Sequence, residues 1–282
     1  MSEKPRIALV IGWGSVKCAA ALGLYRVLRA AGIELDLLVT SGGGSIFGAL
    51  MALGHSADEI IETNRRLWTS EVTEKANRGA ILQLVLPKLF KPAHYFNLKD
   101  DALVNERLRA AFEDRSFSET EIPLRIVATN YRDGEEAVFS EGSIYQAVRA
   151  SIALPLVFPP VEQDGQLLAD GYLSEPLPVG VAIQEGADII IAMGFGSVSR
   201  EPRRSMSDYL LHLSSLMSKN LLEASTAFYS QAHHSELIPI VLEFGEEVHM
   251  FDTHRVPEII RLGEEEGHKL LPRLRSLLEL SQ

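Results

Sequence analysis

The chain has 282 residues, 46% hydrophobic and 23% charged, enough for a large buried core and too apolar for a disordered segment. Its 27 basic residues face 38 acidic ones, a formal net charge of −11, which argues against nucleic acid as a partner and against a polybasic grip on anionic membranes. The single cysteine, Cys18, cannot form an internal disulfide, and neither a signal peptide nor an apolar run of about 18 residues is apparent, so a cytoplasmic location is expected.

In chain order, Ile7–Ile11 is a short apolar run ending at Gly12, the pattern of a buried parallel strand. From Val16 to Ala31 the apolar residues share one broad helical face, and Gly32 closes the helix. Leu35–Val39 reads as a second strand and Ser45–Leu53 as a second helix, stopped by Gly54. Ser56-Ala-Asp-Glu59 is a capping box that opens a third helix through Leu67. Two strand–turn–helix units in succession predict a doubly wound sheet.

From Thr69 to Lys99 the pattern is irregular, with Pro87, Pro92 and several aromatic residues; Trp68, just before it, is expected in the core. Ile81–Phe90 with Tyr95 and Phe96 reads either as a helix packed on the sheet or as a lid in peripheral contact with lipid. A helix is expected over Leu103–Phe112, and strands over Leu124–Thr129 and Ala137–Phe139 around the turn Arg132-Asp-Gly134. Ile189–Met193 is another buried strand, and two amphipathic helices, near Ser207–Gln231 and Pro257–Leu280, finish the chain. With no internal repeat and no linker, one domain over residues 1–282 is expected, its motifs within about 7–193 and a helical region over about 205–282.

Gly12-Trp-Gly-Ser-Val-Lys17 lies between a strand and a helix, where backbone N–H groups converge on an anion or a developing oxyanion. Read as a dinucleotide fingerprint, with Asp36 as the ribose acid, its third glycine would fall on Lys17 and Trp13 would crowd the pyrophosphate. An oxyanion loop and a plain tight turn are the alternatives. Thr40-Ser-Gly-Gly-Gly-Ser45 occupies the second such junction, the place of a nucleophile elbow. An elbow needs small residues two positions either side of its tip. A tip at Ser41 would put Val39 there; a tip at position 42 puts Thr40 and Gly44, and position 42 is Gly42. Asp170, after an apolar run and before Gly171, is either a general base or a turn residue. His233-His234 stands too isolated for a metal site, Glu264-Glu-Glu266 reads as a solvated helix face, and neither a metal nor a cofactor is implied.

Together, Gly12-Trp-Gly-Ser-Val-Lys17, Thr40-Ser-Gly-Gly-Gly44, the block Arg149–Pro160, Asp170-Gly-Tyr172 and Gly186-Ala-Asp188 resemble the patatin family, the patatin-like phospholipases. The resemblance implies a three-layer α/β sandwich with a mostly parallel central sheet, and lipid acyl hydrolysis on a lipid or ester substrate. It implies a Ser–Asp dyad with Asp170 as its acid and no histidine. The oxyanion hole would be built by Gly12, Gly14 and Ser15, with Lys17 as the loop's basic residue. It places the serine nucleophile at Gly42, where no side chain can attack, and Thr40 replaces the first glycine of the elbow motif. Three accounts stay open: a non-catalytic member of the family, an inactivating substitution, or attack from Ser41 or Ser45.

Overall fold

The computed structural model describes residues 4–69, 71–72, 101–196, 206–232, 234–244 and 248–280. The stretch 81–90 with Tyr95 and Phe96, and His233, lie outside them. Strands β1 (Ile7–Ile11), β2 (Leu37–Ser41), β3 (Leu124–Asn130), β4 (Glu136–Phe139), β5 (Val161–Gln163), β6 (Gln166–Asp170), β7 (Ile189–Phe195) and β8 (Glu236–Leu242) form one sheet. Its order is β5-β6-β3-β2-β1-β7-β8, with β4 also paired to β3. From β3 to β8 along this order every pairing is parallel, and β4, β5 and β6 join antiparallel.

Successive side chains of a strand face opposite sides, so a strand covered on both sides is apolar throughout. In β1, Ile7, Leu9 and Ile11 enter one core cluster and Ala8 and Val10 the other. The first cluster is roofed by α1 (Ala20–Ala30), α2 (Gly44–Ala52) and α8 (Val256–Leu280), the second by α6 (Val179–Gln184) and α7 (Met206–Ala232). This is the expected three-layer α/β sandwich. Helices α3 (Ala57–Leu67), α4 (Asp101–Phe112) and α5 (Ile144–Ser151) complete the first layer, and the Ser56–Glu59 capping box opens α3 as predicted.

The helix expected from Val16 is two elements: a 3-10 turn over Ser15–Ala19 and then α1. The second strand begins two residues later than expected, because Asp36 accepts a hydrogen bond from the Ile7 N–H at 2.8 Å and pairing starts only after it. Asp36 therefore ties β2 to β1. Strands β5 and β8 and the short helices α5 and α6 are not among the elements expected from the sequence. β8 contains Pro239, which the sheet tolerates because β8 is an edge strand.

Candidate active site

The elbow forms where β2 runs into α2. Gly42 has φ +56, the left-handed conformation that lets the chain reverse within one residue. Around it the backbones nearly touch: a Cβ on Gly44 would lie 2.7 Å from the Ile11 carbonyl, and one on Gly48 would collide with the Thr40 side chain. Thr40 fits the crowded position because Gly48 faces it. The Gly42 N–H is held by Ser151 Oγ at 3.0 Å, and that hydroxyl donates to the Val127 carbonyl at 2.7 Å. Ser151 thus fastens the elbow tip to β3.

Strand β3 also brings in the aspartate. Its partners on one edge are β2, up to the pair Ser41↔Val127, and then β6, from the pair Ala128↔Asp170. β4 pairs with residues 126–129 of β3 throughout, so it takes the opposite edge. β2 and β6 therefore meet end to end, and Asp170 arrives beside Gly42 although 128 positions separate them in sequence. A Cβ on Gly42 would stand 2.9 Å from Asp170 Oδ1 and 3.0 Å from Trp13 Cδ1. Gly171 is needed at the next position, where a Cβ would collide with the Val127 carbonyl.

Asp170 is 3% exposed. Among the described residues its one hydrogen-bond donor is the Tyr172 N–H, at 3.1 Å. Burial pushes its carboxyl up to about 8, a cost that this single bond offsets only in part. Cys18 packs near it, but the thiol is wholly buried and burial pushes its pKa far up, so it is not a nucleophile at neutral pH.

The loop after β1 passes over the elbow. The Gly12 N–H is taken by the Met193 carbonyl at 3.0 Å and the Trp13 N–H by the Pro176 carbonyl at 2.9 Å. No described residue accepts a hydrogen bond from the N–H of Gly14, Ser15 or Gly43. A Cβ on Gly43 would stand 2.7 Å from the Ser15 nitrogen, so these donors belong to one small region at the start of α2. Ser15, at φ +53, sends its hydroxyl to the Met250 carbonyl. Lys17 reaches away, with Nζ 3.3 Å from the Gly196 carbonyl and 5.6 Å from the Phe244 ring centre.

A pocket of about 440 Å³, its open mouth included, rises from Ser15, Gly43 and Asp170. Its walls are apolar: Trp13, Phe47, Trp68, Phe158, Met250 and Phe251 are among them. Trp13 stacks on Tyr172 and Trp68 on Phe158, while Phe251 meets Trp68 at a tilt of 43°. Trp68 is thus both core and pocket wall. Neither Ser41 nor Ser45 lines the pocket. Ser41 Oγ is buried beside Gly171 with no hydrogen-bond partner among the described residues, and Ser45 Oγ donates to the Gly42 carbonyl at 2.7 Å.

Several contributors escaped the sequence reading. The Gly43 N–H follows from the elbow itself, since the residue after the tip normally supplies one oxyanion donor. Ser151 lies in the Arg149–Pro160 block, yet nothing in the pattern announces which carbonyl it holds. Met250 and Phe251 carry no sequence signal.

A model of the patatin-like phospholipase family matches residues 9–183. The chain belongs to the patatin-like phospholipase family. Over 203 residues it is 30% identical to an uncharacterized NTE family protein of Mycobacterium tuberculosis, across 72% of this chain and 52% of that protein. Over 206 residues it is 29% identical to patatin-like phospholipase domain-containing protein 6 of Homo sapiens, across 72% of this chain and 14% of the human protein. The patatin-like chain thus spans about half the length of its mycobacterial relative and a small part of the human one. Among solved structures, VipD from Legionella pneumophila shares the fold, with a TM-score of 0.50 and 15% identity over 96% of this chain and 67% of VipD. Met250 and Phe251 fall beyond the stretch that matches the patatin-like family.

Proposed function

We propose that this patatin-like chain is an acyl-lipid site in which the arrangement for ester hydrolysis is assembled except for its nucleophile. The observation that carries this reading is the direction of the missing side chain: a Cβ on Gly42 points at Asp170 Oδ1, 2.9 Å away. A serine there would place its hydroxyl between the carboxylate and the pocket. Asp170 would take the hydroxyl proton as Oγ attacked the ester carbonyl, and return it to the departing alcohol. A pKa near 8 suits a group that must accept and release a proton close to neutrality. The N–H groups of Ser15, Gly43 and Gly14 would hold the oxyanion.

With Gly42 that route is closed, and the geometry of Ser41 and Ser45 favours neither as a replacement. What persists is an apolar pocket above a polar floor, the form of a site for the acyl part of a lipid or ester. The test is hydrolysis of a p-nitrophenyl acyl ester by the chain beside its Gly42→Ser variant and the Gly42→Ser, Asp170→Asn double variant. Turnover by Gly42→Ser alone is expected. Turnover by the unaltered chain at a rate near that of Gly42→Ser would sink the reading, because another nucleophile would then be at work.

A further inference from the structure

Asp170 lines the pocket yet is only 3% exposed, and burial rather than a neighbouring charge is what raises its carboxyl. The pocket residue that stands against it over the elbow is Trp13. The point that a Cβ of residue 42 would take lies 2.9 Å from Asp170 Oδ1 and 3.0 Å from Trp13 Cδ1, so carboxyl and indole border the same small space. Trp13 is fastened at two points, and both belong to the segment that follows Asp170. Its N–H donates to the Pro176 carbonyl at 2.9 Å, and its ring stacks on Tyr172, with centroids 5.4 Å apart and planes inclined by 27°. Tyr172 is also the residue whose N–H holds Asp170 Oδ1, at 3.1 Å. The indole therefore packs on the turn that orients the carboxyl.

We propose that Trp13 is a positioning residue for Asp170: its indole keeps water from the carboxyl and, through Tyr172, steadies the turn that donates to it. This rests on the hydrolytic reading above and deepens it, since the loop read as holding the oxyanion then also covers the acid. An aromatic wall beside a carboxyl disfavours the charged form, because it displaces the water that would solvate a carboxylate. The ionisable groups on the elements around Asp170 are Lys17 and Cys18 after β1, Arg125 on β3, Arg149 on α5, and Tyr172 and Glu175 after β6. Lys17 is directed toward Gly196 and the Phe244 ring, and the Cys18 thiol stays neutral. Arg125 pairs with Glu185, and Arg149 is engaged by Asp101, Asn105 and the Pro159 carbonyl. Glu175 lies toward Ser225 of α7 and is pushed up to about 7 by burial and by Glu136. Helix α2 has no ionisable side chain.

The experiment follows unfolding in urea by the fluorescence of Trp68, the chain's other tryptophan, across a range of pH. Trp13→Ala, Trp13→Phe and Tyr172→Ala are compared with the parent, each with and without Asp170→Asn, so that the difference reports Asp170. In the parent the loss of stability that depends on Asp170 levels off above about pH 8, where the folded-state carboxyl has ionised. Trp13→Ala should lower that end point by at least about one pH unit, because water then reaches the carboxyl. Trp13→Phe keeps an aromatic cover and should stay with the parent. Tyr172→Ala takes away the ring on which the indole rests and should move the end point in the same direction as Trp13→Ala. In the Gly42→Ser background, hydrolysis of a p-nitrophenyl acyl ester should rise with pH as Asp170 ionises, with its midpoint lowered by the same variants. A tryptophan that only packs would lower stability equally at every pH and leave both midpoints in place, and that result would overturn the inference. If Gly42→Ser shows no turnover, the hydrolytic reading falls, while the stability end points still decide the role of Trp13.

Discussion

The Ser15 hydroxyl donates to the Met250 carbonyl, joining the loop after β1 to a segment more than two hundred residues further along the chain. Through this bond the floor of the pocket and one of its walls are held as a unit. Ser15→Ala removes only the tie and keeps the Cβ strain that Ser15 already bears at φ +53, whereas Ser15→Gly removes the tie and relieves that strain. Acyl-ligand affinity should fall several-fold in both variants, and thermal unfolding should show Ser15→Ala as the less stable. Phe251→Ala should move the preferred chain length upward by lengthening the pocket, read from a series of carboxylates of increasing length.

Ser151 answers two buried backbone groups at once, the Gly42 N–H and the Val127 carbonyl. Ser151→Ala leaves both without a partner. Each buried unpaired group costs about 1–3 kcal/mol, so a loss of about 2–4 kcal/mol is expected in urea unfolding. A loss below about 1 kcal/mol would mean that the elbow is held by something else.

The Asp170 carboxyl gives stability a predictable slope with pH. Its pKa is about 8 in the folded chain, against about 4 for an aspartate in an unfolded chain. Between these values the folded state keeps a proton that the unfolded state has lost, so stability falls as the pH rises through this window and levels off above it. The difference in unfolding free energy between the parent and Asp170→Asn isolates this contribution. It should shift in favour of the variant by several kcal/mol between pH 5 and pH 9, since each unit of pKa shift is worth about 1.4 kcal/mol. A difference independent of pH would show that Asp170 is ionised throughout.

Restoring a side chain at the elbow tip has a conformational cost. Gly42 sits at φ +56, and a non-glycine residue in the left-handed region is less stable by roughly 1–3 kcal/mol. Gly42→Ala and Gly42→Ser should both unfold more easily than the parent by about this amount, and only the serine variant should gain esterase activity.

The layers of the fold were legible because β1 and β7 are continuous apolar runs and α1, α3 and α8 carry a helical face. The crossing that made a tip at position 42 the expectation is present, with Thr40 packed against Gly48. The nearness of Asp170 to Gly42 was implied only by family resemblance. Periodicity reports which face a residue takes and says nothing about which strand ends abut. Edge strand β8 escaped notice because Pro239 interrupts it. The Met250–Phe251 wall escaped because a loop that acquires its role by packing has no repeat to betray it.

Strand β3 sets the spacing between Gly42 and Asp170, and its Thr129 hydroxyl holds the Asp170 carbonyl at 2.9 Å. Val127 ends its pairing with β2 and Ala128 begins its pairing with β6. It works as a ruler on which two strangers in sequence are laid against adjacent marks. One extra residue between those marks would slide Asp170 away from the elbow by about 3.3 Å, a full strand step, with every named site residue still present. On the proposed reading, then, an inventory of motif residues is a poor census of activity; the length of β3 would matter to this site as much as the residue at position 42.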